Sequence, residues 1–135
     1  MKVAVVYFPY NDRSKLQDVA RGIADGVGLQ DYSADLVDGT KDVNAKLTMY
    51  DYIAVGTEAA GFWGGKIPDR VGHFLSNAGI VSGKRSFAFI TARGIRTMKT
   101  LRKLMDAMEH EGMFLKNSRI VASYEEAKQI GRTLV

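Results

Sequence analysis

VAVVYF at residues 3–8 is the stretch from which the fold is read. All but Ala4 are β-branched or aromatic, none carries a charge, and the run is too short for a buried helix. A strand with both faces apolar is one buried on both faces, as in a parallel sheet covered by helices. A helix follows at once. Leu16, Val19, Ala20 and Ile23 recur at helical spacing, Ser14 stands at the N-cap position with Gln17 three residues on, and Gly26 or Gly28 closes the segment.

The same alternation continues along the chain. Residues 32–37 form a short strand whose neighbours Asp31, Asp35 and Asp38 mark it as an edge. YDYIAVG at 50–56 is a core strand, leading into the glycine-rich aromatic loop TEAAGFWGGKI at 57–67. Pro68 and Asp69 then open a helix with Val71, Phe74 and Leu75 on one face. SFAFIT at 86–91 is the next buried strand, followed by a long helix with the stripe Leu101, Leu104, Met105 and Met108, stopped by Gly112. A short strand at 119–122 precedes a last helix, opened by the capping box Ser123 and Glu126 and carrying Ala127, Ile130 and Leu134. The order βα, β, βα, βα, βα predicts a doubly wound α/β fold, a five-stranded parallel sheet in a three-layer α/β/α sandwich. At 135 residues the chain is expected to form one domain over residues 1–135.

Composition removes several chemistries. Without cysteine there is no disulfide scaffold, thiolate metal site, iron–sulfur cluster or thiol catalysis, so redox work requires a bound cofactor. No apolar run approaches the roughly 20 residues that span a bilayer, and Met1 leads directly into a strand, so a cytoplasmic location and no membrane partner are expected. The net charge of +4 is regional: residues 1–80 carry eight Lys/Arg against ten Asp/Glu, residues 81–119 nine against three. A positive surface attracts anions without naming them, and charge alone gives nucleic-acid binding too little support to be expected. His73 and His110 fall on different helices with no ligand partner at suitable spacing, so no metal is expected. No G-x-S-x-G, GxGxxG or GxxxxGK[ST] motif stands after a strand.

In a doubly wound sheet ligands bind beyond the carboxyl ends of the strands, which directs attention to residues 8–15, 57–67 and 91–97. Here the chain resembles the flavodoxins. VAVVYF, a polar loop and VARGIADG are similar to their first βα unit; YDYIAVG with FWGGKIPDRVGHFL is similar to their third strand, aromatic loop and following helix; GKRSFAFIT and SYEEAKQIGRTL extend the likeness over nearly the whole chain. The resemblance implies noncovalent flavin mononucleotide (FMN), with electron transfer or small-substrate reduction left to the cofactor and no catalytic acid or base from the protein. It places Tyr10, Asn11, Arg13, Ser14 and Lys15 at the phosphate, Thr57, Gly61, Phe62, Trp63 and Gly64 at the ring face, and Thr91, Ala92, Arg93 and Gly94 at the ring edge. A redox partner protein or a nicotinamide nucleotide would be the second substrate, and a homodimer would use Phe62, Trp63 and Phe114.

The chain also departs from that pattern. Its first loop has no glycine and carries Asp12; Glu58 stands where a proline or small residue is usual; and Arg93, Arg96, Lys99, Arg102 and Lys103 make basic a region that is acidic in the electron carriers. A second reading therefore stands beside the first: a flavin-free binding or regulatory module for an anionic or acidic partner. In it residues 9–15 are a helix cap with solvated charges, Trp63 packs on the core or in an oligomer, and Lys99, Arg102 and Lys103 are a solvated helix face. A phosphoacceptor receiver is set aside, because the first strand ends in Phe8 and Pro9 and the third in Gly56 and Thr57, not in acids.

Overall fold

The computed structural model describes residues 1–9, 15–58, 66–91 and 97–135. In chain order the elements are β1 (Lys2–Phe8), α1 (Lys15–Gly28), β2 (Ser33–Asp38), β3 (Tyr52–Glu58), α2 (Lys66–Ser76), β4 (Arg85–Thr91), α3 (Thr97–His110), β5 (Phe114–Val121) and α4 (Tyr124–Arg132). The strands form one parallel sheet in the order β2-β1-β3-β4-β5. The three central strands are the apolar runs of the sequence, and the edges are β2 and β5. Strand alternation sends Val3, Val5 and Tyr7 to the face covered by α1 and α4, and Ala4, Val6 and Phe8 to the face covered by α2 and α3. Each face has its own apolar core: Leu16, Ile23 and Ala127 meet Phe87 and Phe89 on one side, while Phe74, Leu104 and Met108 meet Ile53, Val55 and Ile90 on the other.

Three boundaries differ from the sequence expectation. β3 runs two residues later, over Tyr52–Glu58, so Thr57 and Glu58 are strand residues and not the start of a loop. The ladder explains this: Thr57 pairs with Phe8 on one side and Ile90 on the other, and Glu58 with Thr91. α2 begins at Lys66, with Pro68 inside its first turn, where a missing N–H costs no helical hydrogen bond. β5 begins at Phe114, five residues earlier than expected. As an edge strand it is largely exposed, and an irregularity opposite Ser86 and Phe87 breaks its period, so Lys116, Asn117 and Arg119 masked it in the sequence.

Two helix ends form as their sequences predict. The Ser123 hydroxyl accepts the Glu126 N–H at 3.2 Å, and the Glu126 carboxylate accepts the N–H of Ala122, also at 3.2 Å. At the end of α3, Gly112 takes φ 81°, its N–H reaches the Glu109 carbonyl at 2.9 Å, and the Met113 N–H reaches Met108 at 3.2 Å. That is a Schellman closure, with Met108 and Met113 both buried across it.

Candidate functional site at the carboxyl edge of the sheet

The connections from β1 lead to β2 on one side, and β3 lies on the other, so strand order reverses between β1 and β3. Such a reversal leaves a crevice beyond the carboxyl ends of these two strands. Phe8, Pro9, Thr57 and Glu58 stand at that place.

Buried polar side chains gather at this edge. Six are buried in the described residues, and only Ser86 lies at the opposite end of the strands; Thr57, Glu58, Thr91, Thr97 and Thr100 end β3, end β4 or open α3. Thr57 is 1% exposed, and its hydroxyl has no hydrogen-bond partner among the described residues. Its ladder neighbours, Phe8 and Ile90, are apolar and offer none. A buried unpaired hydroxyl costs about 1–3 kcal/mol, and a ligand atom able to exchange a hydrogen bond would remove that cost. Glu58 and Thr91 are paired on the opposite face of the sheet, toward α1.

Of the residues expected at the site, Thr57 and Thr91 are both buried at this edge but on opposite faces of the sheet, and Lys15 is the exposed first residue of α1. Tyr10, Asn11, Arg13, Ser14, Gly61, Phe62, Trp63, Gly64, Ala92, Arg93 and Gly94 lie outside the described residues, as does the Ser14 cap. Phe114, grouped in sequence with Phe62 and Trp63 at a dimer contact, starts β5 beside Arg85, at the amino end of the sheet and away from the crevice. Its ring is 56% exposed, with the Lys116 ammonium 4.9 Å from its centre. Lys99 and Arg102 are exposed on α3, while Lys103 is partly covered in a groove between α2 and α3.

The same groove takes in both histidines. His73 and His110 line it together, with Asp69 and Asp106. Helical spacing set each residue on its own helix, but only the packing of α2 on α3 made them neighbours. No group of three or more His, Asp or Glu arranged to hold a metal occurs among the described residues.

No family model matches the chain, and no curated protein matches it in sequence. Solved structures do. The flavodoxin of Streptococcus pneumonia TIGR4 superposes with a TM-score of 0.71 at 16% identity, covering 98% of this chain and 97% of that one. The fold is that of the flavodoxins. A short-chain flavodoxin associated with a non-canonical PDU bacterial microcompartment gives 0.72 at 15% identity over 97% and 95% of the two chains. An NAD(P)H:quinone oxidoreductase from Methanothermobacter marburgensis gives 0.64 at 12% identity over 100% and 99%. The flavodoxin fold thus extends over the whole sheet and its helices, and none of the helices described here is long and apolar enough to cross a membrane.

Proposed function

We propose that the crevice at the carboxyl ends of β1 and β3 binds FMN noncovalently, and that the protein serves electron transfer or the reduction of a small substrate. The observation that carries this reading is the buried Thr57 hydroxyl, without a partner among the described residues, in an edge rich in buried polar groups. Buried hydroxyls suit the carbonyl and N–H edge of a flavin ring, which needs fixed hydrogen bonds in a largely apolar setting. When bound, the flavin would supply the redox chemistry.

The residues of the chain divide the remaining tasks. Lys15, with Tyr10, Asn11, Arg13 and Ser14, would hold the phosphate at the start of α1, where a helix N-terminus favours an anion. Phe62 or Trp63 would cover the ring, with Gly61 and Gly64 allowing close backbone approach. Thr57 and Thr91, with the backbone of Ala92, Arg93 and Gly94, would meet the ring edge. The exposed Lys99 and Arg102 would attract an anionic redox partner or a nicotinamide nucleotide in a cytoplasmic setting.

Titration with FMN tests the reading, following flavin fluorescence and the emission of Trp63, the only tryptophan. Mutual quenching with a Kd of about 1–10 µM is expected, weakened by Trp63→Ala, by Thr57→Val and by use of riboflavin, which lacks the phosphate. Absence of binding up to several hundred micromolar would overturn it. The second reading, a flavin-free module for an anionic partner, is favoured by one observation, the carboxyl group of Glu58 buried at the same edge. It would then be the better account.

A further inference from the structure

Away from the strand-edge crevice, the segment joining β2 to β3 folds against α2 and leaves a cleft of about 530 Å³. One wall is the side of α2 that carries Arg70, His73 and Phe74, with Asn77 one turn on; the other carries Val43, Asn44 and Lys46. Both walls are anchored. The Leu47 N–H donates to the Ala78 carbonyl at 2.7 Å, the Lys46 ammonium donates to the Asn77 carbonyl, and the Thr40 N–H and hydroxyl bind the Asp38 carboxylate at 2.9 and 2.6 Å. The inner end is closed by Gly39, against which the Phe8 ring lies, and by Phe74, edge-on to Phe8 at 5.4 Å.

The chemistry of this cleft is one-sided. Among the described residues it is lined by Lys46, Arg70 and His73 and by no carboxylate, although residues 1–80 as a whole are net acidic. Asp38 is turned to Thr40, and Asp69 faces the other groove of α2. Arg70 is exposed and has no ion pair among the described residues. A guanidinium on one wall and an ammonium on the other are matched by a dianion between them, whereas a monocarboxylate would leave a cation unmatched. Val43 offers exposed apolar surface and Phe74 the small uncovered edge of a ring otherwise buried in the core, while the two asparagine amides offer hydrogen bonds to whatever body carries that anion. The volume lies in the range of small-molecule sites, about 300–1,000 Å³.

We propose that this cleft is a second binding site, for a small phosphate monoester, with Arg70 and Lys46 holding the phosphate and Phe74 and Val43 the apolar body. Its lining residues are distinct from those placed at the strand-edge crevice, with Phe8 standing between the two, behind the inner end of the cleft. The test is amide chemical-shift mapping and calorimetry on the full chain, with adenosine 5′-monophosphate as probe and adenosine, inorganic phosphate and benzoate as controls. The monophosphate is expected to shift Gly39, Val43, Asn44 and Asn77 with a submillimolar Kd, about tenfold tighter than any control. Arg70→Gln should weaken it at least about tenfold and Arg70→Lys less, while Trp63→Ala should leave it unchanged. Shifts confined to other residues, equal binding of benzoate, or indifference to Arg70→Gln would each overturn the proposal. Loss with Trp63→Ala and not with Arg70→Gln would mean that the nucleotide occupies the strand-edge crevice, overturning the second site while leaving the flavin reading intact.

Discussion

Gly56 sits on β3 opposite Phe89, and a Cβ placed there would overlap the buried Phe89 ring, which stacks on Phe87 at 6.0 Å. The ring is fully buried and stacked, so Gly56→Ala should destabilise by about 1–3 kcal/mol in urea denaturation, with an unchanged m-value. One position further, Thr57 presents the opposite case. Replacing a buried hydroxyl that has no partner among the described residues by a methyl of similar size removes a desolvation cost, so Thr57→Val should stabilise the ligand-free protein by about 1 kcal/mol. The same change is expected to weaken FMN, and that opposite sign in stability and affinity is what a residue kept for a ligand should give. Neither effect was legible in the sequence, where Thr57 opens what reads as a loop; only the ladder to Phe8 and Ile90 shows it buried.

At the scale of elements, α1 and α4 cross closely because glycines face each other. A Cβ at Gly26 would overlap the Lys128 carbonyl, and one at Gly131 the Ile23 carbonyl. Backbone cannot yield as a side chain does, so Gly26→Ala and Gly131→Ala should each cost about 2 kcal/mol or more, despite the roughly 1 kcal/mol that alanine gains in helix propensity. Thermal unfolding followed by circular dichroism checks this. Ser123→Ala, which removes the cap of α4, should cost about 1 kcal/mol. The cap and the glycine stop of α3 were plain in the sequence, since capping is local chemistry. The α1–α4 approach was not, since nothing in either helix names its partner.

At the scale of the molecule, buried or carboxylate-bonded tyrosines make the fold sensitive to alkali. Burial pushes Tyr52 up from 10.0 to about 12; burial and then the hydrogen bond to Asp35 push Tyr50 to about 12. Tyr7 is raised by burial and by Asp38 and Asp42, and Tyr124 by its hydrogen bond to Asp25. In each the folded state holds its proton after the unfolded chain has released it, so stability is intact below about pH 10 and falls as pH rises toward 12. Urea midpoints should therefore drop between about pH 10 and pH 12, and less so in Tyr52→Phe, whose ring keeps its place in the core.

The apolar strands, helix stripes, caps and the edge character of β2 were determined by the sequence alone, because burial on both faces, helical periodicity and capping are written in residues a few positions apart. The fold class follows from them. What tertiary structure alone decided depends on residues far apart in the chain. It fixed the two-residue advance of β3, which buried Thr57 and Glu58 at the carboxyl edge; the early start of β5, whose exposed edge carries no apolar signal; and the groove that unites His73 with His110. It also brought Lys46 from the β2–β3 segment against Arg70 of α2, making a cationic cleft within an acidic half of the chain. Pairing and packing place side chains by geometry across the sheet, and linear spacing holds no record of that geometry.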